Sequence, residues 1–360
     1  MATIQLLKDE VIDKIAAGEV VERPASIVKE LLENALDAKA DEITIHLNEG
    51  GTQLISIADN GCGIPPEECS MAVTRHTTSK IATSDDLFDI NTMGFRGEAL
   101  ASISSVSRFS LTSKHQDKPQ GCKITREESG SWHSESCAHE QGTTIIIEDL
   151  FYNVPVRRKF LKSAKSEYAH CYEIIQAIGL AHPQLTLKLF HNDKLKLHAQ
   201  ATVGDTTSSE QALRQRIKQF INDPCVDKLM YLNHSNHYGS MQAFISPPGV
   251  EKPNSKSIVS FVNNRWVKDK IIRYGFLRGY HSHLLKGRYP FVVSYLTVDP
   301  SLVDVNVHPA KTEIRFQYEH EIQTLIAQSV REKIRHLSWI DPTGPSKSSV
   351  MSIPEVSKPF

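Results

Sequence analysis

Apolar residues recur at helical spacing early in the chain. Ile27, Val28, Leu31, Leu32, Ala35 and Leu36 form one stripe behind Arg23-Pro24-Ala25, and proline is favoured at the first helical position, so a helix is predicted to open there. Its opposite ridge carries Glu30, Asn34 and Asp37. Two alternating runs follow, residues 43–47 and 54–57, joined by Asn48-Glu49-Gly50-Gly51. That is hairpin chemistry and predicts an antiparallel pair. From Arg75 to Arg96 periodicity fades among Thr, Ser, Asp and Asn, which predicts a long loop before a helix resumes at Gly97. Strands are predicted at 109–111 and 143–147, a helix over about 166–180 that stops before His182-Pro183, and a hairpin turn at Asn192-Asp193.

A shift to Thr, Ser, Gly and Asp over 201–209 marks the expected domain boundary. Beyond it the pattern predicts strands near Met230 and Phe244 and over 259–262, 291–296 and 303–307, with helices over 269–280 and 319–337. The expected domains are therefore 1–205 and 206–338. Residues 339–360, rich in Pro, Ser and Lys, read as the start of an unfolded linker, and a linker with nothing after it suggests a truncated chain.

At 360 residues, 40% hydrophobic and 23% charged, the chain is long enough for two cores. Lys plus Arg number 41 against 42 Asp plus Glu, so any contact with nucleic acid must come from local patches. The six cysteines lack C-x-x-C spacing, which argues against a zinc site and for a reducing intracellular setting. No uncharged stretch approaches the ~20 residues that span a bilayer, so no membrane is expected.

The usual phosphate-binding loop is excluded, because the dipeptide Gly-Lys occurs nowhere. Gly61-Cys62-Gly63 lacks the third glycine of a dinucleotide fingerprint. Four separated pieces remain. On the first helix, Glu30, Asn34 and Asp37 at i, i+4 and i+7 share a face; an amide oxygen suits Mg²⁺ and a nearby carboxylate can activate water. Every amphipathic helix has a polar ridge, however, so the spacing alone favours an ordinary surface. Asp59-Asn60-Gly61-Cys62-Gly63 ends a strand, where an Asp could accept from an adenine amino group and glycine lets a flat base approach; it is also a common turn composition. Gly94, Phe95, Arg96, Gly97, Glu98, Ala99 and Leu100 form a glycine-bearing turn into a helix, whose free amides can bind phosphate, preceded by Thr77-Thr78-Ser79-Lys80. Gly142-Thr143-Thr144 opens an apolar strand.

In this order the four pieces resemble the motifs of the GHKL ATPase superfamily. Residues 15–24, 94–100 and 305–311 are more specifically similar to signatures of its MutL mismatch-repair family, over roughly 4–335. The resemblance implies an α+β fold: a Bergerat-type sandwich, with a mixed sheet and helices on one face, followed by a ribosomal-protein-S-five-like αβ transducer domain. It implies ATP and Mg²⁺ as cofactors. Glu30 would activate water, Asn34 would hold Mg²⁺, Asp59 would read adenine, and Gly63 and Thr143 would shape the base pocket. Thr78, Ser79, Lys80 and the backbone from Arg96 to Leu100 would surround the triphosphate as a lid. Asp37 would either face the nucleotide or anchor the helix end. Lys311, in the second domain, would reach the γ-phosphate and report nucleotide state.

Two basic clusters stand out, Arg157-Arg158-Lys159 with Lys162 and Lys165, and Arg265 with Lys268, Lys270 and Arg273. The turn Val262-Asn263-Asn264-Arg265 resembles one that carries a DNA-contacting arginine in the family, with Asn264 where glycine is frequent; Asn also tolerates positive φ. The implied activity is slow ATP hydrolysis driving homodimerisation and sequence-independent DNA binding. The implied partners are the mismatch-recognition protein MutS, a strand-incision nuclease and a helicase. The setting would be the bacterial cytoplasm and nucleoid, or the nucleus of a eukaryote. No nuclease motif is visible in these residues. A type II topoisomerase ATPase subunit and a nucleotide-independent DNA scaffold are the competing readings.

Overall fold

The computed structural model describes residues 18, 20–75, 77–78, 97–127, 130–202, 209–304 and 314–338. Internal contacts divide the chain into two units, the first ending at Val226 and the second beginning at Asp227.

In the first unit, helix α1 (Pro24–Asp37) starts at its proline, as the stripe predicts. Strands β1 (Glu42–Asn48) and β2 (Leu54–Asp59) pair antiparallel. A short helix α2 (Cys69–Ala72) and helix α3 (Ala99–Ser105) precede β3 (Arg108–Lys114), β4 (Gly121–Arg126), β5 (Trp132–Cys137) and β6 (Gly142–Glu148). Then come α4 (Pro155–Phe160), α5 (Ala164–Ala181), β7 (Thr186–His191), β8 (Lys194–Ala199) and α6 (Ser209–Phe220). The eight strands form one sheet in the order β5-β4-β3-β6-β2-β1-β7-β8. All neighbours are antiparallel except β1 and β7. The sheet is therefore mixed.

Register explains its one-sidedness. Leu187, Ile43 and Asp59 lie in one row, and Leu189, Ile45, Ile57, Ile145 and Leu111 in the next but one. Directly paired residues share a face, so these apolar side chains make a continuous buried surface, on which α1 and α5 pack together. The opposite face carries Thr44, His46, Ser56, Thr112 and Thr144 and stays half-buried.

The composition shift puts a boundary at 205/206, yet α6 packs against the first unit. Arg216 is the anchor. Its fully buried guanidinium donates to the carbonyls of Gly179 (2.7 Å), Gln200 (3.0 Å), His182 (3.1 Å) and Leu185 (2.7 Å). A buried cation with four carbonyl partners costs far more to expose to rearrangement than a polar loop reveals in sequence.

The second unit holds β9 (Met230–Asn236), β10 (Gly239–Ile245), β11 (Glu251–Lys252), β12 (Ile258–Val262), β13 (Arg265–Val267), helix α7 (Lys270–Tyr280), β14 (Tyr289–Pro290), β15 (Val292–Thr297), β16 (Val303–Asp304), β17 (Arg315–Phe316) and helix α8 (Glu319–Ser338). Its main sheet runs β13-β12-β15-β10-β9, with β12 and β15 parallel. Met241, Ala243 and Val292 of the sheet share one core with Ile272 and Phe276 of α7 and with Ile322, Ile326 and Val330 of α8. Asp269 caps α7 by accepting from the Ile272 N–H at 2.9 Å. Of the strand predicted over 303–307, residues 305–307 lie outside the described residues.

Candidate functional site

The polar ridge of α1 is real. Glu30, Asn34 and Asp37 are half-buried, between the stripe Ile27, Val28, Leu31, Leu32 and Ala35 and solvent. At the helix's end, the Ala38 N–H donates to Asn34 O at 2.9 Å, and the Ala38 carbonyl accepts from the Cys62 N–H at 2.9 Å. One carbonyl thus ties the helix to the Asp59 turn. Asn60 fixes the turn from the other side: its Oδ1 accepts from the Asp41 and Glu42 N–H groups, both at 3.0 Å.

Asp59 stands in the row Ile43, Asp59, Thr143, Ser113 across β1, β2, β6 and β3, on the sheet face that carries the core. Its carboxylate accepts from the Gly61 N–H at 2.9 Å and from the backbone of Thr143. Burial raises its pKa above the ordinary 3.8, and the two backbone bonds and His139 oppose that rise. The result is a hydrogen-bond acceptor set at the edge of an apolar layer, and a carboxylate with two such bonds keeps lone pairs for an external N–H.

Gly63 closes the turn with φ of +71°, and a Cβ there would lie 2.1 Å from the Lys114 carbonyl oxygen. No other residue fits without moving β3. Gly97 has the same relation to the second piece: at φ +61° its missing Cβ would stand 2.3 Å from Thr77 O. The Thr77-Thr78 segment and the start of α3 are therefore in backbone contact. Thr77 Oγ1 donates to the Met71 and Thr74 carbonyls, holding this segment on α2. Glu98 occupies the cap position of α3, and among the described residues no side chain makes a capping hydrogen bond there. Ala99 and Leu100 form its first turn, half-buried. The structure thus sets Thr77, the neighbour of Thr78, against Gly97 at the start of the Gly97–Leu100 segment, and Asp59 beside Gly63 and Thr143. Ser79, Lys80, Gly94, Phe95, Arg96 and Lys311 lie outside the described residues.

Sequence reasoning passed over Ser113 and Gln141. Gln141 Nε2 donates to Gly61 O at 3.2 Å. Ser113 bonds to the turn at Ile64 and to Gly142 and Thr143. The available signal was a serine that continues the alternation Phe109, Leu111, Ser113 on the buried side of the strand.

In the second unit, Asn263 and Asn264 take φ of 49° and 63° between β12 and β13, a primed two-residue turn that asparagine tolerates. Asn263 locks the turn by accepting from the Val298 N–H (3.0 Å) and donating to its carbonyl (2.9 Å). Arg265 is the next residue, half-buried and paired in register with Val262. Lys268 lies 4.3 Å from the centre of the Trp266 ring. In the other basic cluster Arg158, Lys159, Lys162 and Lys165 are exposed, while Arg157 is half-buried with its guanidinium over the Phe151 ring at 5.9 Å.

Residues 22–148 match the family described as histidine kinase-, DNA gyrase B- and HSP90-like ATPase, and residues 217–335 match the DNA mismatch repair protein, C-terminal domain. With the one-faced mixed sheet, this defines a GHKL-type ATPase domain followed by a transducer domain. The DNA mismatch repair protein MutL of Agathobacter rectalis is 40% identical over 340 residues, 94% of this chain and 51% of that protein. MutL of Rickettsia prowazekii is 39% identical over 352 residues, 97% of this chain and 58% of that protein. The solved Aquifex aeolicus MutL ATPase domain complexed with ADP superposes with a TM-score of 0.60 at 27% identity, covering 86% of this chain and 98% of that one. The chain belongs to the MutL family of DNA mismatch-repair proteins. It spans about half the length of the curated relatives it matches. Among the described residues no helix is long and apolar enough to cross a membrane.

Proposed function

We propose that the first unit binds ATP with Mg²⁺ and hydrolyses it slowly, and that the bound nucleotide switches the chain into a homodimer that holds DNA without sequence preference. The observation that carries this reading is the Asp59 turn: a carboxylate on the apolar face of the sheet, held by backbone amides beside a glycine that admits no side chain. In this reading Asp59 accepts from the adenine amino group, with Gly63 and Thr143 flanking the base. Glu30 activates water, Asn34 holds Mg²⁺, and Asp37 anchors the end of α1 beside them. Thr78, Ser79, Lys80 and the segment Gly94, Phe95, Arg96, Gly97, Glu98, Ala99 and Leu100 enclose the triphosphate, whose charge suits the amides at a helix start. Lys311 contacts the γ-phosphate, and Arg265 contacts the DNA backbone. The switch then couples a mismatch-recognition protein, MutS, to a strand-incision nuclease and a helicase in the cytoplasm.

Thermal unfolding with and without ATP and Mg²⁺ tests the core of this. A ligand at a hundred times its Kd stabilises the native state by about 2.7 kcal/mol, so the midpoint of the first unit should rise. An unmoved midpoint rejects the nucleotide site. Replacing Lys311 by alanine tests the switch, since ATP-dependent dimerisation that survives it removes Lys311 from the mechanism.

A further inference from the structure

Ser113 is fully buried at the edge of the candidate base pocket, and its hydroxyl has three neighbours. The Ile64 N–H donates to it at 2.8 Å, the Gly142 carbonyl oxygen lies at 3.0 Å, and Thr143 Oγ1 lies at 2.8 Å. A serine hydroxyl has one proton and two lone pairs. An amide N–H can only donate and a carbonyl can only accept, so the Ser113 proton belongs to Gly142 O and one lone pair to Ile64. Only a lone pair is left for Thr143. The Thr143 hydroxyl must then spend its own proton on Ser113, and in every other direction it offers lone pairs alone.

Thr143 is directly opposite Asp59, whose carboxylate its backbone helps to hold. Two acceptors therefore stand side by side on one face of the sheet. An exocyclic amino group, with two N–H bonds, complements such a pair; a carbonyl oxygen is repelled by it. We infer that Ser113 is a specificity-positioning residue: by fixing the direction of the Thr143 hydroxyl it makes the pocket prefer 6-amino over 6-keto purine nucleotides. This rests on the reading that Asp59 receives the purine. Without Ser113 the Thr143 hydroxyl is free to turn and donate, which accommodates the keto oxygen. Ser113 does not touch the reacting phosphate, so the turnover step is untouched.

The test uses the whole chain and compares binding and turnover of ATP and GTP, each with Mg²⁺, in the parent, Ser113→Ala, Ser113→Thr and Thr143→Val. Ser113→Ala should lower the ATP-to-GTP affinity ratio about tenfold, since unpaired polar groups are what such a site uses to discriminate, while kcat at saturating ATP stays within about twofold. Ser113→Thr, which keeps the hydroxyl, should retain the parental ratio. A parental ratio in Ser113→Ala, or a kcat that drops while the ratio stands, overturns the inference and leaves Ser113 a structural residue. If Ser113→Ala loses cooperative unfolding, Thr143→Val decides: it lacks the hydroxyl in question, and a parental ratio in it overturns the inference equally. A parent that binds neither nucleotide overturns the site reading beneath it.

Discussion

The two units place their candidate functional groups in opposite ways. In the first, Asp59, Thr143 and Ser113 lie on the sheet face that also builds the core, so the protein itself supplies nearly all their partners. In the second, the half-buried Arg265 follows an exposed pair of asparagines at the tip of a hairpin. Buried groups discriminate, because an unmatched ligand leaves a donor or acceptor stranded at a cost of about 1–3 kcal/mol. A cation near the surface adheres to phosphate without discriminating, and salt screens it. Under the proposed function, recognition by shape and hydrogen bonding would belong to one unit and attraction by charge to the other.

This contrast can be broken at graded points. Glu30→Ala should reduce ATP turnover by roughly a hundredfold or more while nucleotide binding persists; hydrolysis at the parental rate removes Glu30 as the base. Next in size, Gly63→Ala forces a side chain into 2.1 Å of the Lys114 carbonyl at φ +71° and should destabilise the first unit by about 2 kcal/mol or more. Its counterpart, Asn264→Gly, should shift the second unit by less than about 1 kcal/mol, because that turn already has a residue suited to its φ. Equal losses in differential scanning calorimetry would erase the distinction.

Acidification gives a smaller, continuous effect. Asp59 must be ionised to accept from both the backbone and an amino group, and burial raises its pKa above 3.8. Nucleotide affinity should therefore begin to fall at a higher pH than an ordinary aspartate would impose. The sign for the unliganded protein is opposite: the folded unit holds this proton more tightly than the unfolded chain, so stability from this group is present below 3.8 and is lost as pH rises through the folded value. Isothermal titration over a pH series checks the first, and affinity that stays flat until the ordinary range refutes it. Smallest of all, Arg265→Ala should weaken DNA binding a few-fold and reduce the slope of log affinity against log salt by about one. A slope that does not move excludes Arg265 from the phosphate contacts.

Legibility in the sequence followed the same division. Helix α1, the β1–β2 hairpin and the asparagine turn before Arg265 were readable, because stripe, alternation and turn chemistry are local. Strands β4 and β5 were missed. Trp132–Cys137 is mostly exposed and has no apolar alternation to show, since its pairing partner rather than its side chains makes it a strand. The attachment of α6 was hidden too, because it depends on carbonyls that only the fold brings to Arg216. The four pieces of the candidate site could be found one by one, but the row that sets Asp59 beside Thr143 and Ser113 is a matter of register across three strands. Ser113 carries no motif at all; its role is visible only from its partners.

The single parallel pairing in the first sheet has a consequence for how the chain is made. β1 is complete by Asn48, but its second neighbour, β7, begins at Thr186. While the intervening chain emerges from the ribosome, the inner edge of β1 exposes unpaired backbone groups, and closing so long a loop is slow. Until that strand arrives, Ile43, Ile45 and Leu47 have neighbours on one side only. Synthesis thus passes through a sticky half-sheet, and mutations in β7 should reduce soluble yield more than their effect on the finished protein's stability would suggest.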